Sequence, residues 1–298
     1  MTELRRGQLF GASAYVLWGV FPLYFPLLEP ASPLEVLAHR VVWSLVVMAV
    51  VVVATRRRAQ VRAVLADRGR FARLAAAAVV LCVNWGTYIY GVNSGQVVET
   101  SLGYFVNPLV TVLLGVVVLG ERLRKVQWAA LGIALLAVLV LTVENGRPPY
   151  LALVLAFSFG TYGLLKKTAG AGAVEGLAVE TAVLAPLAAG YLLVLGGDGT
   201  ALSEGPAHLL MLMGSGVVTA VPLLLFGGAA GRVPLTQLGL LQYLAPTMQL
   251  AIGVLVLGEP MGLLRLVGFC LVWTGLVVFT ADAVGHARRG RALVPEPV

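Results

Sequence analysis

Ten long apolar runs constrain the fold of this chain more than any other feature. Each is about 20 residues long, the length that an α-helix needs to cross a bilayer core of about 30 Å. Lipid cannot satisfy backbone hydrogen bonds, so a spanning run has to form a helix or join a closed barrel, and runs this long predict helices. The runs cover residues 8–28, 34–54, 73–92, 98–119, 126–143, 149–165, 174–195, 207–230, 235–257 and 262–281.

The composition agrees with this interpretation. Hydrophobic residues make up 59% of the 298 residues and charged residues only 12%, against about 45–50% and 25% in a soluble domain. The net charge of +7 comes from short basic clusters between apolar runs, which predicts membrane topology rather than nucleic-acid binding. Cys82 and Cys270 lie inside apolar runs, so we expect no disulfide framework, metal site or cofactor. The first run lacks a cleavage pattern, which favours a transmembrane helix over a signal peptide.

The basic residues also predict the orientation of the chain. If the N-terminus is cytoplasmic and the helices alternate, eighteen Lys and Arg residues lie inside, and only Arg147 and Arg265 lie outside. Cytoplasmic loops of membrane proteins are enriched in Lys and Arg. We therefore predict ten spans in the cytoplasmic membrane, with both termini in the cytoplasm.

A repeated segment divides the chain into two copies. When the sequence is shifted by 138 positions, residues 236–259 align without a gap on residues 98–121, and eight positions are identical, among them Pro108/Pro246 and Gly120/Gly258. A fixed shift of this kind is the signature of internal duplication. The predicted units are a first five-helix repeat at 1–145, a second at 146–284 and a cytoplasmic basic tail at 285–298.

Five helices per copy is an odd number, so the second copy must be inverted in the membrane relative to the first. The predicted fold is thus an all-α integral membrane protein with ten transmembrane helices in two inverted five-helix repeats. Inverted repeats are typical of secondary transporters, in which a pseudo-two-fold axis relates the inward-open and outward-open states.

Several segments resemble one transporter family. The motifs are LEVLAHRVVWS at 34–44, NWGTYIYGVNSGQVVETSLGYFVNPL at 84–109, ERLRKVQW at 121–128 and LQYLAPT at 241–247. Together with the repeat, they resemble the EamA family of the drug/metabolite transporter superfamily, and more narrowly its RarD subgroup. The resemblance implies the drug/metabolite transporter fold and an inner-membrane permease, and the subgroup name carries an association with chloramphenicol sensitivity.

Charged residues inside the apolar runs are the first functional candidates, because a charge in the bilayer nearly always faces a cavity or a partner. Arg40 lies in the second run, and a shift of 140 places Glu180 at the equivalent depth of the seventh. The two could anchor a charged or zwitterionic substrate or form an ion-pair gate. The alternatives are a structural clamp between helices and an Arg40 that extends to the interface.

Other acidic residues allow both a functional and a structural interpretation. Glu35 and His39 are four residues apart on one helical face and could carry a coupling proton, although a solvated helix end explains them as well. Glu99 starts the fourth run and is expected to cap it. Glu121 and Glu259 each follow a glycine, and we interpret the Leu-Gly-Glu motif as the boundary between one helix and the next.

Polar and aromatic residues near mid-span predict a central path. Asn84, Tyr88 and Gly91 follow a helical period, as do Tyr104, Asn107 and Thr111. Pro108 and Pro246 interrupt backbone hydrogen bonds at matching points, which predicts hinges in gating helices; each could also simply bend its helix. Interhelical hydrogen bonding alone could explain any one polar residue. The predicted substrate-binding residues are Trp18, Arg40, Asn84, Tyr88, Tyr104, Asn107, Tyr162, Glu180, Gln242 and Tyr243; Trp85, Asn93 and Gln249 belong to the same polar and aromatic cluster.

These features predict a secondary transporter that moves a small organic solute by alternating access, with proton-coupled export as one form. The partners are a small-molecule substrate, the lipid bilayer and a coupling proton, and the protein is a monomer or a homodimer. The chain has no phosphate-binding GxxxxGK[ST] motif, so ATP does not drive it directly. A membrane-embedded enzyme and a sensor without solute flux are the alternatives.

Overall fold

The computed structural model describes residues 2–120, 125–145, 148–230, 232–233, 241–264, 266–271, 273–275, 277–278 and 281. The secondary structure in these ranges is helical. The long helices are α1 (Glu3–Gly19), α3 (Pro33–Ala54), α5 (Arg68–Asn93), α6 (Val97–Leu119), α7 (Lys125–Asn145), α8 (Tyr150–Ala169), α9 (Ala173–Leu195), α11 (Pro206–Ala230), α12 (Leu244–Leu255) and α13 (Leu266–Gly275). The short helices are α2 (Phe21–Tyr24), α4 (Arg58–Ala66) and α10 (Thr200–Ser203).

Side-chain caps start several of these helices. The Thr2 hydroxyl accepts a hydrogen bond from the Arg5 amide at 3.3 Å at the start of α1. Ser32 caps α3, which has a proline in its first turn, and Asp67 caps α5 through its carboxylate. These caps satisfy backbone donors that have no partner within the helix, so helix boundaries are set by the local sequence.

Within the described residues, six helical segments are long and apolar enough to cross a membrane. They are Glu3–Leu28, Pro33–Ala54, Arg68–Asn93, Val97–Val118, Ala173–Asp198 and Pro206–Ala229. The prediction of an all-α membrane protein is thus confirmed. The count of ten spans and their inversion stay predictions, and Arg147 and Arg265 lie outside the described residues.

The glycine of the Leu-Gly-Glu motif follows a helix in both copies: Gly120 comes directly after α6, and Gly258 comes three residues after the last residue of α12. Gly120 has a φ of 68° and Gly258 a φ of 70°, a left-handed conformation that glycine adopts without the steric cost of a Cβ atom. Such a residue commonly terminates an α-helix. The position of Gly120 agrees with the interpretation of the motif glycine as a helix end, whereas α12 already ends at Leu255. Glu121 lies outside the described residues.

The helices pack in a small number of close pairs. Helix α6 lies against α8 and α12, α3 lies between α9 and α11, and α1 contacts both α11 and α12. Small residues permit some of these contacts: a Cβ atom at Gly103 would lie 2.8 Å from the Ala152 carbonyl oxygen. The apolar outer surface includes Leu193, which is 81% exposed, and Leu255, which is 80% exposed. Large exposed apolar side chains of this kind fit a surface that faces lipid.

Candidate functional site: a polar and aromatic cavity between the helices

A cavity of about 40 Å³ lies where α1, α2, α3, α5, α6, α8, α11 and α12 meet. It is lined by Tyr15, Trp18, Phe21, Arg40, Asn84, Trp85, Tyr88, Tyr104, Phe159, Leu223, Gln242, Ala245, Pro246 and Gln249. Because a water needs roughly 10–15 Å³, this volume has room for about three waters. A metabolite can therefore occupy the site only if the surrounding helices separate.

Arg40 supplies the positive charge of the cavity. Its side chain is only 2% exposed, and its Nε donates a hydrogen bond to the Thr219 hydroxyl at 2.9 Å. The guanidinium lies 4.6 Å from the ring centre of Trp85 and 5.0 Å from that of Phe25. Its Nη1 has no hydrogen-bond partner in the part of the chain that the structure describes. Arg40 thus points into the interior and does not extend to the interface.

A hydrogen-bonded group next to Arg40 joins three helices. The Asn84 amide nitrogen donates to the Leu155 carbonyl oxygen at 3.1 Å and to the Ser158 hydroxyl at 3.0 Å. The Tyr104 hydroxyl donates to the Asn84 side-chain oxygen at 3.2 Å. This network links α5, α6 and α8, so it holds one wall of the cavity in place.

Four buried polar atoms at the cavity have no hydrogen-bond partner among the described residues. They are Arg40 Nη1, Tyr88 Oη, Gln242 Nε2 and Gln249 Oε1. The orientation of Gln249 is set by its Nε2, which donates to the Trp18 carbonyl oxygen at 3.0 Å. A buried polar group without a partner costs about 1–3 kcal/mol. Four of them at one cavity indicate a site that receives water or a ligand.

The structure brings six of the ten predicted substrate-binding residues into the cavity lining. These are Trp18, Arg40, Asn84, Tyr88, Tyr104 and Gln242, and the predicted hinge Pro246 joins them. The lining does not include Asn107, Tyr162, Glu180 or Tyr243. Pro108 lies inside α6 and is also absent from the lining. No described contact tests the roles of these residues, which stay predictions.

Two of the residues outside the lining are packed between helices. Asn107 is fully buried, and its side-chain oxygen accepts a hydrogen bond from Thr111 at 3.3 Å. The ring of Tyr243 lies 6.1 Å from that of Phe105. In this conformation both residues contribute to the packing around the cavity.

Glu180 and Tyr162 belong to a second buried polar cluster. Lys166 donates to Glu180 at 2.5 Å, and the Tyr162 hydroxyl donates to the other carboxylate oxygen at 3.3 Å. Glu180 is only 2% exposed and Lys166 15%. Glu180 is therefore paired with Lys166, while Arg40 is bound to Thr219, and the two predicted charges do not meet in this conformation.

Glu35 and His39 also have separate partners. Glu35 accepts hydrogen bonds from the Thr200 amide at 2.8 Å and from the Thr200 hydroxyl at 3.0 Å. Its carboxylate thereby caps α10. His39 Nδ1 accepts a hydrogen bond from the Trp43 indole. His208, which the sequence analysis did not select, bonds to the Thr200 hydroxyl at 3.0 Å and so lies in the same network as Glu35.

The acidic residues of the repeated segment bind across the molecule. Both carboxylate oxygens of Glu259 accept backbone hydrogen bonds at 2.8 Å, one from Val97 and one from Val98. Glu99 accepts a hydrogen bond from the Leu151 amide at 3.3 Å. We expected local caps, but Glu259 caps the start of α6 and Glu99 binds the start of α8. The carboxylates are drawn to helix N-termini, which carry partial positive charge, and those N-termini lie on other helices.

Several lining residues carry no distinguishing signal in the sequence. Tyr15, Phe21 and Phe159 are aromatic residues in apolar runs, where nothing in the sequence distinguishes them from ordinary core residues. Trp85 and Gln249 were placed in the polar and aromatic cluster without a role. Periodicity could have found Phe159, because it lies three residues before Tyr162 on the same helix.

Comparison with known proteins identifies the family. The model of the EamA-like transporter family matches residues 5–143 and 148–281. Protein RarD of Streptomyces exfoliatus is 53% identical over 97% of this chain and 93% of its own length. The uncharacterized transporter YojE of Bacillus subtilis is 41% identical over 97% of this chain and 98% of its own length. A crystal structure at 18% identity superposes with a TM-score of 0.63, covering 94% of this chain and 99% of the other. The chain therefore belongs to the EamA-like transporter family, in its RarD subgroup, and is a multi-pass membrane transporter.

Proposed function

We propose that this protein is a secondary transporter of the cytoplasmic membrane that moves a small organic solute through the central cavity by alternating access. The observation that carries the proposal is the cavity itself, which has four buried polar atoms without a partner among the described residues and a lining from eight helices. In a packed structural core, such polar groups would form hydrogen bonds or would be replaced by apolar groups. In a transporter the solute satisfies them while it is bound.

Pairs of equivalent residues in the cavity support an inverted-repeat mechanism. At the shift of 138, Trp85 corresponds to Leu223 and Tyr104 to Gln242, and all four line the cavity. The first helix of each copy aligns at a shift of 144, where Trp18-Gly19 meets Tyr162-Gly163. At this shift Tyr15 corresponds to Phe159, and both line the cavity. A cavity lined by equivalent positions of both copies is expected on a pseudo-two-fold axis.

The helix packing and the family match support the same mechanism. In the repeat, α6 is equivalent to α12, α5 to α11 and α1 to α8. The contact of α6 with α8 is thus equivalent to that of α12 with α1, and the contact of α5 with α8 is equivalent to that of α11 with α1. The family model also matches two separate stretches of similar length, residues 5–143 and 148–281. Two equivalent halves can exchange roles between inward-open and outward-open states of similar free energy.

Proton exchange is the coupling that we propose. The buried polar clusters that could carry a proton are Glu35 with Thr200 and His208, and Glu180 with Lys166. His39 lies one turn from Glu35 on α3, and its ring accepts a hydrogen bond from Trp43. A transport rate that depends on an imposed pH gradient would support this coupling. A transport rate that is the same with and without the gradient would contradict it.

The experiment is metabolite exchange across proteoliposomes with and without a pH gradient, using a variant that fills the cavity. Ala245 lines the cavity on α12, so Ala245→Phe should abolish exchange because the ring occupies the space that the solute needs. Ala251 lies on the same helix and is exposed, so Ala251→Phe should transport like the unmodified protein. Equal transport by the two folded variants would contradict a path through this cavity.

A further inference from the structure

We propose that the transported solute is a small organic anion, a carboxylate that also carries a hydroxyl group and a flat apolar body, and that the equivalent zwitterion is rejected. This inference rests on the proposed function, because it takes the central cavity as the solute site. It is carried by the charge balance and by the unpartnered hydrogen-bonding groups of that cavity.

The cavity has a positive charge that no described carboxylate neutralises. Within the described residues, no carboxylate pairs with Arg40: the ion pairs join Glu3 to Arg6 and Arg232, Asp67 to Arg70, Glu175 to Arg57 and Glu180 to Lys166. Aromatic faces such as that of Trp85 contribute about 0.5–2 kcal/mol to a nearby cation. Removing an ion from water costs several kcal/mol, so the rings compensate Arg40 only in part.

The same charge balance disfavours a substrate that carries an ammonium group. Among the described residues that line the cavity, Arg40 carries the only formal charge. Glu180 is already bound by Lys166, and Glu35 by the start of α10. An amino acid would place a second cation in the cavity, near Arg40 and without a carboxylate to receive it. A hydroxy acid of the same shape brings the anion without that cation.

The unpartnered atoms fit the two polar groups of such a solute. Arg40 Nη1 and Gln242 Nε2 are donors, and Tyr88 Oη can donate as well. A carboxylate offers acceptor sites to all three. Gln249 Oε1 is an acceptor and needs one donor, which a hydroxyl supplies. An ammonium could also donate to Gln249, but a neutral amide oxygen does not balance a buried full charge.

Aromatic side chains form the remaining walls. Trp18 and Phe159 meet edge to face with ring centres 6.0 Å apart, and Tyr104 meets Phe159 at 6.2 Å. Such rings form favourable offset or edge contacts with another flat ring. When the helices separate, a flat apolar body could lie between these rings while its carboxylate stays at Arg40.

The test compares matched ligands on the purified full-length protein. The probes are 3-phenyllactate, phenylalanine and the uncharged amide of 3-phenyllactate, which differ only in the ammonium or in the carboxylate. We expect 3-phenyllactate to raise the thermal unfolding temperature with at least tenfold higher apparent affinity than the other two. Equal or tighter binding of phenylalanine or of the amide would overturn the proposal, and so would binding of none of the three.

Variants link the preference to Arg40. Arg40→Gln should reduce the affinity for 3-phenyllactate to that for the amide, while Arg40→Lys should keep part of the preference. Arg6→Gln is the control, because Arg6 is 53% exposed and remote from the cavity lining. Gln242→Glu offers a second test that does not depend on Arg40. The substitution breaks no described hydrogen bond of Gln242 Nε2, because that atom has no partner among the described residues. The new carboxylate should shift the binding preference toward phenylalanine. An unchanged preference in folded Gln242→Glu and Arg40→Gln would overturn the proposal.

Counterflow in proteoliposomes separates this inference from the proposed function. Flux of 3-phenyllactate supports both. Binding of 3-phenyllactate by a protein that exchanges no solute would leave the ligand class standing and remove the transport function. Flux of phenylalanine or of the amide in preference to 3-phenyllactate would leave transport standing and overturn the ligand class.

Discussion

Hydrogen-bonded and unpartnered polar side chains have different roles around the cavity. Asn84 is 1% exposed, and both ends of its amide have partners on other helices. Gln242 is 8% exposed and leaves its Nε2 unpartnered. We infer that Asn84 contributes mainly to stability and Gln242 mainly to solute binding, although both line the same cavity.

This distinction predicts the effect of removing one hydroxyl. Tyr104→Phe leaves the Asn84 oxygen without its donor, so we expect a loss of about 1 kcal/mol in stability and an unfolding temperature that is lower by about 2–4 °C. The unfolding temperature is measured by thermal unfolding of the purified protein in detergent. Tyr90→Phe on α5 is the control, because Tyr90 is 53% exposed. Equal unfolding temperatures for the two variants would show that the Tyr104 hydroxyl contributes nothing.

The sequence predicts a candidate residue best where its chemistry is unusual for its surroundings. Arg40 was found because a cation in an apolar run needs a special environment. Glu180 was found in the same way, but the sequence could not show that Lys166, fourteen residues earlier, binds it. The sequence does not identify Phe159 as a lining residue, because aromatic residues are common both in cavity walls and in packed cores.

At the level of elements, the end of one helix stabilises the start of another. Gly258 ends the segment after α12, and Glu259 then binds the two backbone amides at the start of α6. The first amides of a helix have no acceptor within the helix itself, so they need an outside partner. The position of the helix end was predictable from the glycine, whereas the partner helix was not, because the contact joins residues 162 positions apart.

Removing this cap should loosen α6 at its first turn. Hydrogen bonds to charged groups contribute about 1.5–3 kcal/mol each, and every 1.4 kcal/mol corresponds to a factor of ten. In Glu259→Ala we therefore expect the Val97 and Val98 amides to exchange hydrogen at least ten times faster. Hydrogen exchange followed by mass spectrometry measures this change. Glu204→Ala, at an exposed position, should leave the exchange of α6 unchanged, and equal exchange in both variants would contradict the cap.

At the scale of the whole molecule, the described helices and the family match establish a multi-pass membrane transporter, and the orientation remains a prediction from the basic residues. The bias of eighteen basic residues inside against two outside depends on the number of spans, so one helix more or fewer would change it. Packing cannot replace this information, because the two faces of the predicted inverted repeat would resemble each other.

Labelling with a membrane-impermeant thiol reagent tests the orientation. In a background with Cys82 and Cys270 replaced by Ala, Arg58→Cys should react only after the cells are permeabilised, because α4 is predicted to lie in the cytoplasm. Ser203→Cys should react in intact cells. Both positions are exposed, so access depends on the side of the membrane. The reverse labelling pattern would show that the protein is inserted in the opposite orientation.

The contact between Glu259 and α6 also has a consequence for biosynthesis. The ribosome completes Val97 and Val98 long before it reaches Glu259, 162 residues after Val97. At about 5–20 residues per second, the interval is on the order of ten seconds. During that time the first turn of α6 has been synthesised but lacks the carboxylate that caps it. Nascent chains that stop short of Glu259 should therefore be more susceptible to membrane proteases at α6 than full-length chains are.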